Sequence, residues 1–126
     1  MKEEIDCGLP VPGQPFSWAI RANGVLYTTH GPVLADGSIA TGPIEQQARL
    51  TLQNLQRSVE AAGGTMADVV QVQLYLLAAA DSPAVDKVWR EFFAPPWPNR
   101  ATIIAAALVV PGMRIEVVAQ AVIGAG

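Results

Sequence analysis

Three charged residues interrupt a long apolar stretch in the last third of the sequence. The stretch is PNRATIIAAALVVPGMRIEVVAQAV, residues 98–122, and its charges are Arg100, Arg114 and Glu116. A charge in such surroundings is costly unless a partner, a ligand or water satisfies it. The guanidinium of Arg100 could bind a carboxylate through two parallel hydrogen bonds, or form an ion pair across a subunit interface. Glu116 could be an exposed strand carboxylate or a partner of Arg114.

The other reactive side chains form no recognisable metal site. His30 is the only histidine, and neither a cysteine nor a second histidine stands at ligand spacing from it. The single cysteine, Cys7, has no partner for an internal disulfide, which favours the reducing cytoplasm. Trp97, between two prolines, is either the rim of a pocket or an interface contact.

The composition indicates one domain over residues 1–126 whose surface is partly apolar. Hydrophobic residues make up 51% of the chain and charged residues 15%, which leaves little polar surface and indicates buried subunit interfaces. The net charge of −3 argues against nucleic-acid binding, which requires clustered Lys and Arg. No uninterrupted apolar run is long enough for a membrane span, and we expect no membrane contact.

Hydrophobic periodicity and turn residues predict strands alternating with two helices. Asn23-Gly24 is a hairpin signal, and Gly63-Gly64 ends the first helical pattern. The predicted elements are two strands within 17–30, a turn-rich loop over 31–43, a helix from 44 to Gly63, a strand over 67–77, a helix from Asp81 or Ser82, and two strands over roughly 100–109 and 113–123. This order predicts an α+β sheet with both crossover helices on one face.

The alternation within the predicted strands separates a helix-facing side from an open side. The residues predicted to meet the helices are Val70, Val72, Leu74, Leu76, Ile115, Val117, Ala119 and Ala121. The opposite face then displays Gln71, Gln73, Tyr75, Arg114, Glu116, Val118 and Gln120. That face is too apolar for water and too polar for a sealed core. A second copy of the chain would cover it, so we expect a closed homo-oligomer.

The last two strands are predicted to pair as a hairpin about Pro111-Gly112. In that register Glu116 lies near Ala107, and Arg100 lies roughly 20 Å away along the sheet. We then expect no simple ion pair between Arg100 and Glu116 within one chain. Arg100 is expected to find its anion on another subunit or on a small molecule.

The same stretch resembles the signature of the Rid family (RidA/YjgF-like proteins). That signature has a proline, a small residue and an arginine, then a strand, and finally an aliphatic residue followed by glutamate. The matching residues are Pro98, Arg100, Ile103, Leu108, Ile115 and Glu116. Similarity continues through NLQRSVEAAGGTMADVV, VWREFF and PFSWA, so that it covers nearly the whole chain.

The resemblance implies a fold, an assembly and an activity. Rid proteins have a chorismate-mutase-like sheet with two helices on one face. They are homotrimers with a central barrel and three sites in the clefts between subunits. Prototypical members hydrolyse reactive 2-imino acids, the tautomers of enamines, to 2-oxo acids and ammonia. They need no metal and no organic cofactor.

The family roles map onto particular residues of this chain. Arg100 matches the arginine that holds the substrate carboxylate, and Glu116 matches the acid that positions or activates water. The expected pocket lining consists of Phe16, Thr29, His30, Gly31 and Thr102.

The sequence also departs from the family pattern inside this expected pocket. Phe16 lacks a phenol hydroxyl, Trp18 replaces a polar side chain, His30 stands where glycine is common, and Thr102 replaces a frequent cysteine. These changes leave open a bulkier enamine, for example an aminomuconate-like one, or another enamine or carbonyl reaction. A non-catalytic protein that binds 2-oxo acids is a further alternative. The family's historical ribonuclease label is opposed by the acidic charge balance.

Overall fold

The computed structural model describes residues 1–126 and confirms the alternation of strands and helices. Its strands are β1 (Glu3–Glu4), β2 (Ala19–Ala22), β3 (Val25–His30), β4 (Val69–Leu76), β5 (Asn99–Ile104) and β6 (Ile115–Val122), and its helices are α1 (Ile44–Ala61) and α2 (Ser82–Phe92). Short 3-10 turns, Met66–Asp68 and Ala79–Asp81, precede β4 and α2.

The six strands form one mixed sheet in the order β1-β2-β3-β6-β4-β5. Only β4 and β5 are parallel; every other neighbouring pair is antiparallel. Both helices pack on one face, and a single core joins them to alternate residues of the central strands. The predicted α+β fold with two helices on one side of the sheet is therefore confirmed.

The predicted hairpin of the last two strands is wrong, because β5 and β6 are not neighbours. β4 lies between them: it pairs with β5 on one side and with β6 on the other. The parallel β4-α2-β5 crossover places β5 at the sheet edge. Residues 105–114 then carry the chain back so that β6 inserts between β3 and β4. In that position β6 has a hydrogen-bonding partner on both sides, whereas a hairpin at the sheet edge would give it one.

The helix-facing alternation is confirmed for β6 and for most of β4. Val72 and Leu74 are fully buried, as are Ile115 and Val117 on the neighbouring strand. Val70 is the exception, because it is 41% exposed while Val69 is buried. The register shifts between Val69 and Gln71, and the extra residue of that bulge reverses the side-chain alternation at the start of the strand.

The opposite face of the sheet is uncovered in the single chain. Large side chains on it include Tyr27, Ile103 and Val122, which are 47%, 37% and 38% exposed. Neither helix combines the length and the apolar character that crossing a bilayer would take.

Candidate active site

A cavity of about 610 Å³ opens at one end of the sheet. Its walls come from the loop of residues 10–14, from Phe16 to Trp18, from the end of β3 at residues 29–31, from residues 33, 37 and 39, and from residues 109, 110 and 113 before β6. Glu116 is the only carboxylate among the lining residues. Five of the predicted site residues border this cavity: Phe16, Thr29, His30, Gly31 and Glu116.

Glu116 borders the cavity as a half-buried carboxylate with no partner in the chain. Its pKa is raised above the usual value because burial removes the carboxylate from water, and no hydrogen bond or positive charge within the chain offsets this effect. The alternative that Glu116 pairs with Arg114 is wrong. Arg114 Nη2 instead donates to both carboxylate oxygens of Asp81, at 3.0 Å each. Glu116 therefore remains available to a ligand or a water molecule.

The end of β3 supplies a tightly packed wall. The backbone N–H of Thr29 donates to the carbonyl oxygen of Trp18 (3.0 Å), which fixes the loop that carries Phe16. A Cβ on Gly31 would lie 2.5 Å from Cε of Met113, so the absence of a side chain at Gly31 allows Met113 to approach. Phe16 is 42% exposed.

His30 borders the cavity, but its ring is fully buried toward α1. Nε2 lies 2.6 Å from the hydroxyl oxygen of Ser58, and Nδ1 has no hydrogen-bond partner. Burial lowers the pKa of His30 to about 4, so the imidazole is neutral at pH 7. In this position the ring supports the cavity wall, and it is not a free acid or base facing a ligand.

Trp18 connects this buried ring to the cavity surface. Its ring stacks on that of His30, with centroids 5.8 Å apart and planes 12° apart. On its other side it meets Phe16 edge to face, with centroids 5.0 Å apart. Its indole N–H donates to the carbonyl oxygen of Pro10 (2.9 Å). Trp18 therefore holds both Phe16 and the N-terminal loop in place.

Arg100 lies away from this cavity, and its expected lack of an anion within the chain is wrong. Its Nη2 donates to Oδ1 of Asp86 on α2 (2.7 Å), and its Nε donates to Oγ1 of Thr102 (3.2 Å). The guanidinium also lies over the ring of Trp89, with 4.8 Å from Cζ to the ring centroid. The predicted residues Arg100 and Thr102 are thus brought together on β5, and sequence reasoning missed Asp86 as their neighbour.

A second, smaller cavity of about 240 Å³ lies beside this arginine. Its lining includes Trp97, Asp86 and Arg100. Nη1 of Arg100 makes no hydrogen bond within the chain, so part of the guanidinium remains free.

Arg100 and Glu116 point to opposite faces of the sheet. Arg100 is opposite Val72, a residue buried against the helices, and it contacts α2. Glu116 is opposite Tyr75 and alternates with the buried Ile115 and Val117. Two strand spacings and three residues separate the two positions, about 9.5 Å across the sheet and about 10 Å along it. The two charged groups therefore do not converge within one chain.

A row of buried polar residues on α1 holds the cavity walls, and sequence reasoning missed it. Its members are Gln47, Thr51, Asn54 and Ser58, all fully buried. Their spacing of three or four residues places them on one side of the helix. Polar residues at helical spacing directly beside the apolar stripe were the signal in the sequence.

Two members of this row bind backbone groups next to the cavity. Asn54 Nδ2 donates to the carbonyl oxygens of Gly31 (3.0 Å) and Val33 (2.9 Å). Gln47 Nε2 donates to the carbonyl oxygen of Gly112 (3.0 Å), and its Oε1 accepts from the N–H of Arg114 (2.8 Å). α1 therefore fixes both the end of β3 and the approach to Glu116.

Comparison with known proteins identifies the family. A family model described as Endoribonuclease L-PSP matches residues 9–123. A structure of a Rid-family protein of unknown function, YyfA from Yersinia pestis, superposes with a TM-score of 0.90 at 28% identity and covers 98% of this chain and 100% of that one. The chain belongs to the Rid family.

Two curated relatives show how this Rid protein compares by sequence. A 2-iminobutanoate/2-iminopropanoate deaminase from Dermatophagoides farinae is 35% identical over 101 residues, 79% of either chain. The mitochondrial protein mmf2 of Schizosaccharomyces pombe is 29% identical over 107 residues, 83% of this chain and 85% of that protein.

Proposed function

We propose that this Rid protein hydrolyses 2-imino and enamine carboxylates to 2-oxo acids and ammonia. The observation that carries the proposal is Glu116, a half-buried carboxylate that borders a cavity and has no partner in the chain. The relative named as an imine deaminase supports this reaction class. The reaction needs only water, a proton carrier and a means of holding the substrate, so the proposal includes no metal and no cofactor.

Glu116 is proposed to handle the protons of the reaction. The substrate reacts as the protonated imine, and Glu116 accepts a proton from a water molecule while that oxygen bonds to the imine carbon, which gives a neutral tetrahedral carbinolamine. Glu116 then gives this proton to the nitrogen, and it takes the proton of the carbinolamine hydroxyl as the C–N bond breaks. The 2-oxo acid remains, and the departing ammonia takes up the proton from Glu116 and restores the carboxylate. An enamine becomes the protonated imine by taking a proton at its β-carbon. A pKa raised by burial suits this work, because a more basic carboxylate accepts the proton of water more readily.

Arg100 is proposed to reach this cavity from a neighbouring protomer of a homotrimer. The two charged groups lie on opposite faces of one sheet, so a site that uses both must combine two chains. The uncovered sheet face, with its half-exposed Tyr27, supports the assembly. A trimer closed around these faces would form the central barrel that the family resemblance implies.

The contacts of Arg100 are compatible with a ligand. A guanidinium has five N–H groups, and Asp86 and Thr102 take one each. The two N–H groups of Nη1 and one on Nη2 remain for a substrate carboxylate. Asp86, Thr102 and Trp89 orient the group, and Thr102 contributes to the site through this contact.

The activity is tested with imines generated in place by an amino-acid oxidase, with semicarbazide as the competing trap. Wild-type protein should accelerate release of the 2-oxo acid and suppress semicarbazone formation. Glu116→Gln should bind a 2-oxo acid and lose turnover, and Arg100→Ala should lose both. The matched controls are Glu91→Gln and Arg49→Lys, which alter a surface ion pair on the helices. Turnover retained by Glu116→Gln would contradict the role of Glu116, and a wild-type protein that binds 2-oxo acids without turnover would favour a binding protein.

The charges of the chain oppose RNA as a substrate. Its net charge is −3, and four of the six arginines pair with carboxylates: Arg21, Arg49, Arg100 and Arg114.

The proposed compartment is the cytoplasm, in keeping with one unpaired cysteine, Cys7. Because the relative mmf2 is named as mitochondrial, cell fractionation tests this placement.

A further inference from the structure

We infer that the cavity beside Glu116 receives the substrate's side chain and selects 2-imino monocarboxylates with bulky apolar side chains, aromatic or branched. This inference rests on the proposed function, because it places the reacting carbon next to Glu116. The hydrolysis reaction does not specify the side chain of the substrate, whereas the walls of the cavity do.

The size of the cavity favours a bulky substituent on the substrate. Its volume of about 610 Å³ lies within the roughly 300–1,000 Å³ of sites that bind ligands the size of a typical drug. The imino acid derived from alanine would leave most of this space to water. A phenyl or branched alkyl substituent would displace that water and bury apolar surface.

The wall of the cavity exposes apolar side chains, which favours an apolar substituent. Four apolar side chains of this wall are exposed: Val11 (92%), Phe16 (42%), Val109 (81%) and Val110 (40%). A group of exposed apolar side chains around one cavity marks a binding surface. Phe16 is held edge to face against Trp18, so it offers a fixed aromatic surface at little entropic cost.

The lining of the cavity offers no positive charge to a second carboxylate on the substrate. Glu116 and the buried His30 are the only lining residues with acidic or basic side chains, and His30 is neutral at pH 7. A second carboxylate on the substrate would find no cation in the cavity and would be repelled by Glu116. This opposes dicarboxylates such as the aminomuconate-like enamine considered from the sequence. With the first carboxylate bound by Arg100, the remainder of the substrate must be apolar.

The experiment compares imines made from phenylalanine, leucine, alanine and glutamate by amino-acid oxidases of matching specificity. We expect kcat/KM for the phenylalanine and leucine imines to exceed that for the alanine imine by about ten-fold or more, as apolar burial in a pocket provides. Val109→Arg adds a cation to the wall. It should lower kcat/KM for the phenylalanine imine and raise it for the glutamate imine. Ala107→Arg places the same charge on an exposed position of the same loop outside the cavity, and is the matched control.

Binding measurements separate the inference from the proposed reaction. Titration calorimetry with phenylpyruvate, pyruvate and 2-oxoglutarate reports what the cavity prefers without turnover. Tighter binding of phenylpyruvate in a protein that hydrolyses no imine would refute the deaminase and support the apolar selectivity. Turnover with equal or greater preference for the alanine imine would overturn the selectivity and leave the deaminase standing. The selectivity is also overturned if Val109→Arg changes the sedimentation of the oligomer and not its substrate profile, because the wall is then a subunit contact.

Discussion

Asp86 on α2 accepts a 2.7 Å hydrogen bond from Nη2 of Arg100 on the edge strand β5. The contact uses one carboxylate oxygen and one guanidinium nitrogen, and Nη1 stays free. A single contact of this kind orients the arginine and leaves donors for a ligand. Asp86 is therefore a positioning residue, and the carboxylate that Arg100 is proposed to bind comes from the substrate.

Replacing Asp86 with Asn should weaken substrate binding and leave the chemical step nearly intact. We expect KM to rise several-fold and kcat to change little, because the carboxylate of Asp86 bonds only to the guanidinium of Arg100. Stability should change by about 1 kcal/mol, because the ion pair is only partly buried and Asn retains an oxygen that can accept from Arg100. Glu91→Gln, which breaks the Arg49 pair on the same helix, is the control. A fall in KM for Asp86→Asn would show instead that Asp86 competes with the substrate.

Glu116 should produce pH effects of predictable sign in both stability and rate. Its pKa in the folded chain is raised above 4.5, so its contribution to stability is complete below pH 4.5 and is lost as pH rises through the folded-state pKa. Glu116→Gln, which cannot ionise, should therefore unfold at a higher temperature than wild type near pH 7. This advantage should disappear near pH 4. Calorimetry at the two pH values tests this, and an equal difference at both would contradict it.

The rate should follow the same ionisation. If Glu116 accepts the proton of water, kcat/KM of the wild type falls as pH drops below that raised pKa. Glu91→Gln should retain this profile. A profile that is flat down to pH 4.5 would exclude Glu116 as the base.

The sequence predicted the helices, the strands and their buried faces, because short-range patterns determine these features. The helical stripe from Ile44 and the alternation of Ile115 and Val117 identify elements and their buried faces without long-range information. Alternation does not specify which strand lies beside which, and a Pro-Gly pair occurs in long loops as well as in hairpins. The neighbours of β6 therefore required the structure, and with them the geometry between Arg100 and Glu116.

The residues around the site were harder to predict than its charged groups. In the sequence, Asp86 belongs to the polar face of α2 and has no evident function. Its contact with Arg100 depends on the crossover that places β5 beside α2. Asn54 and Gln47 lie within a helix whose apolar residues dominate the pattern. Their function depends on backbone carbonyls that are distant in sequence, those of Gly31 and Gly112.

His30 should stay uncharged across the range in which an ordinary histidine titrates. It is the only histidine, so its ring protons give one set of NMR signals. Its folded pKa of about 4 lies below the ordinary 6.5, so its contribution to stability is present above pH 6.5 and is lost as pH falls toward 4. Between pH 7 and pH 5 this loss is about 2 kcal/mol.

An NMR titration and urea unfolding test this together. The ring signals should shift by only about a tenth of the full titration shift between pH 8 and pH 5. Urea unfolding of the wild type should show the loss of about 2 kcal/mol between pH 7 and pH 5. The loss over the same range should be smaller by that amount in His30→Gln, which has no imidazole to protonate. A ring that titrates near pH 6.5 in the folded protein would show that the imidazole is open to water and place it in the cavity.

Asn54 should affect the site through the backbone it holds. Asn54→Ala removes the donor that the carbonyl oxygens of Gly31 and Val33 share. The oxygen of Gly31 still accepts from the N–H of Val33 (2.8 Å), so only the oxygen of Val33 loses its partner, which should cost about 1–3 kcal/mol. Because residues 29–31 border the cavity, KM should also rise several-fold in protein that remains folded at low temperature. Asn54→Asp, which retains oxygen atoms but not the donor, should reproduce both effects. Gln53→Ala, at the exposed neighbouring position of α1, should produce neither. A destabilised Asn54→Ala with unchanged KM would show that the helix supports the fold without positioning the cavity wall.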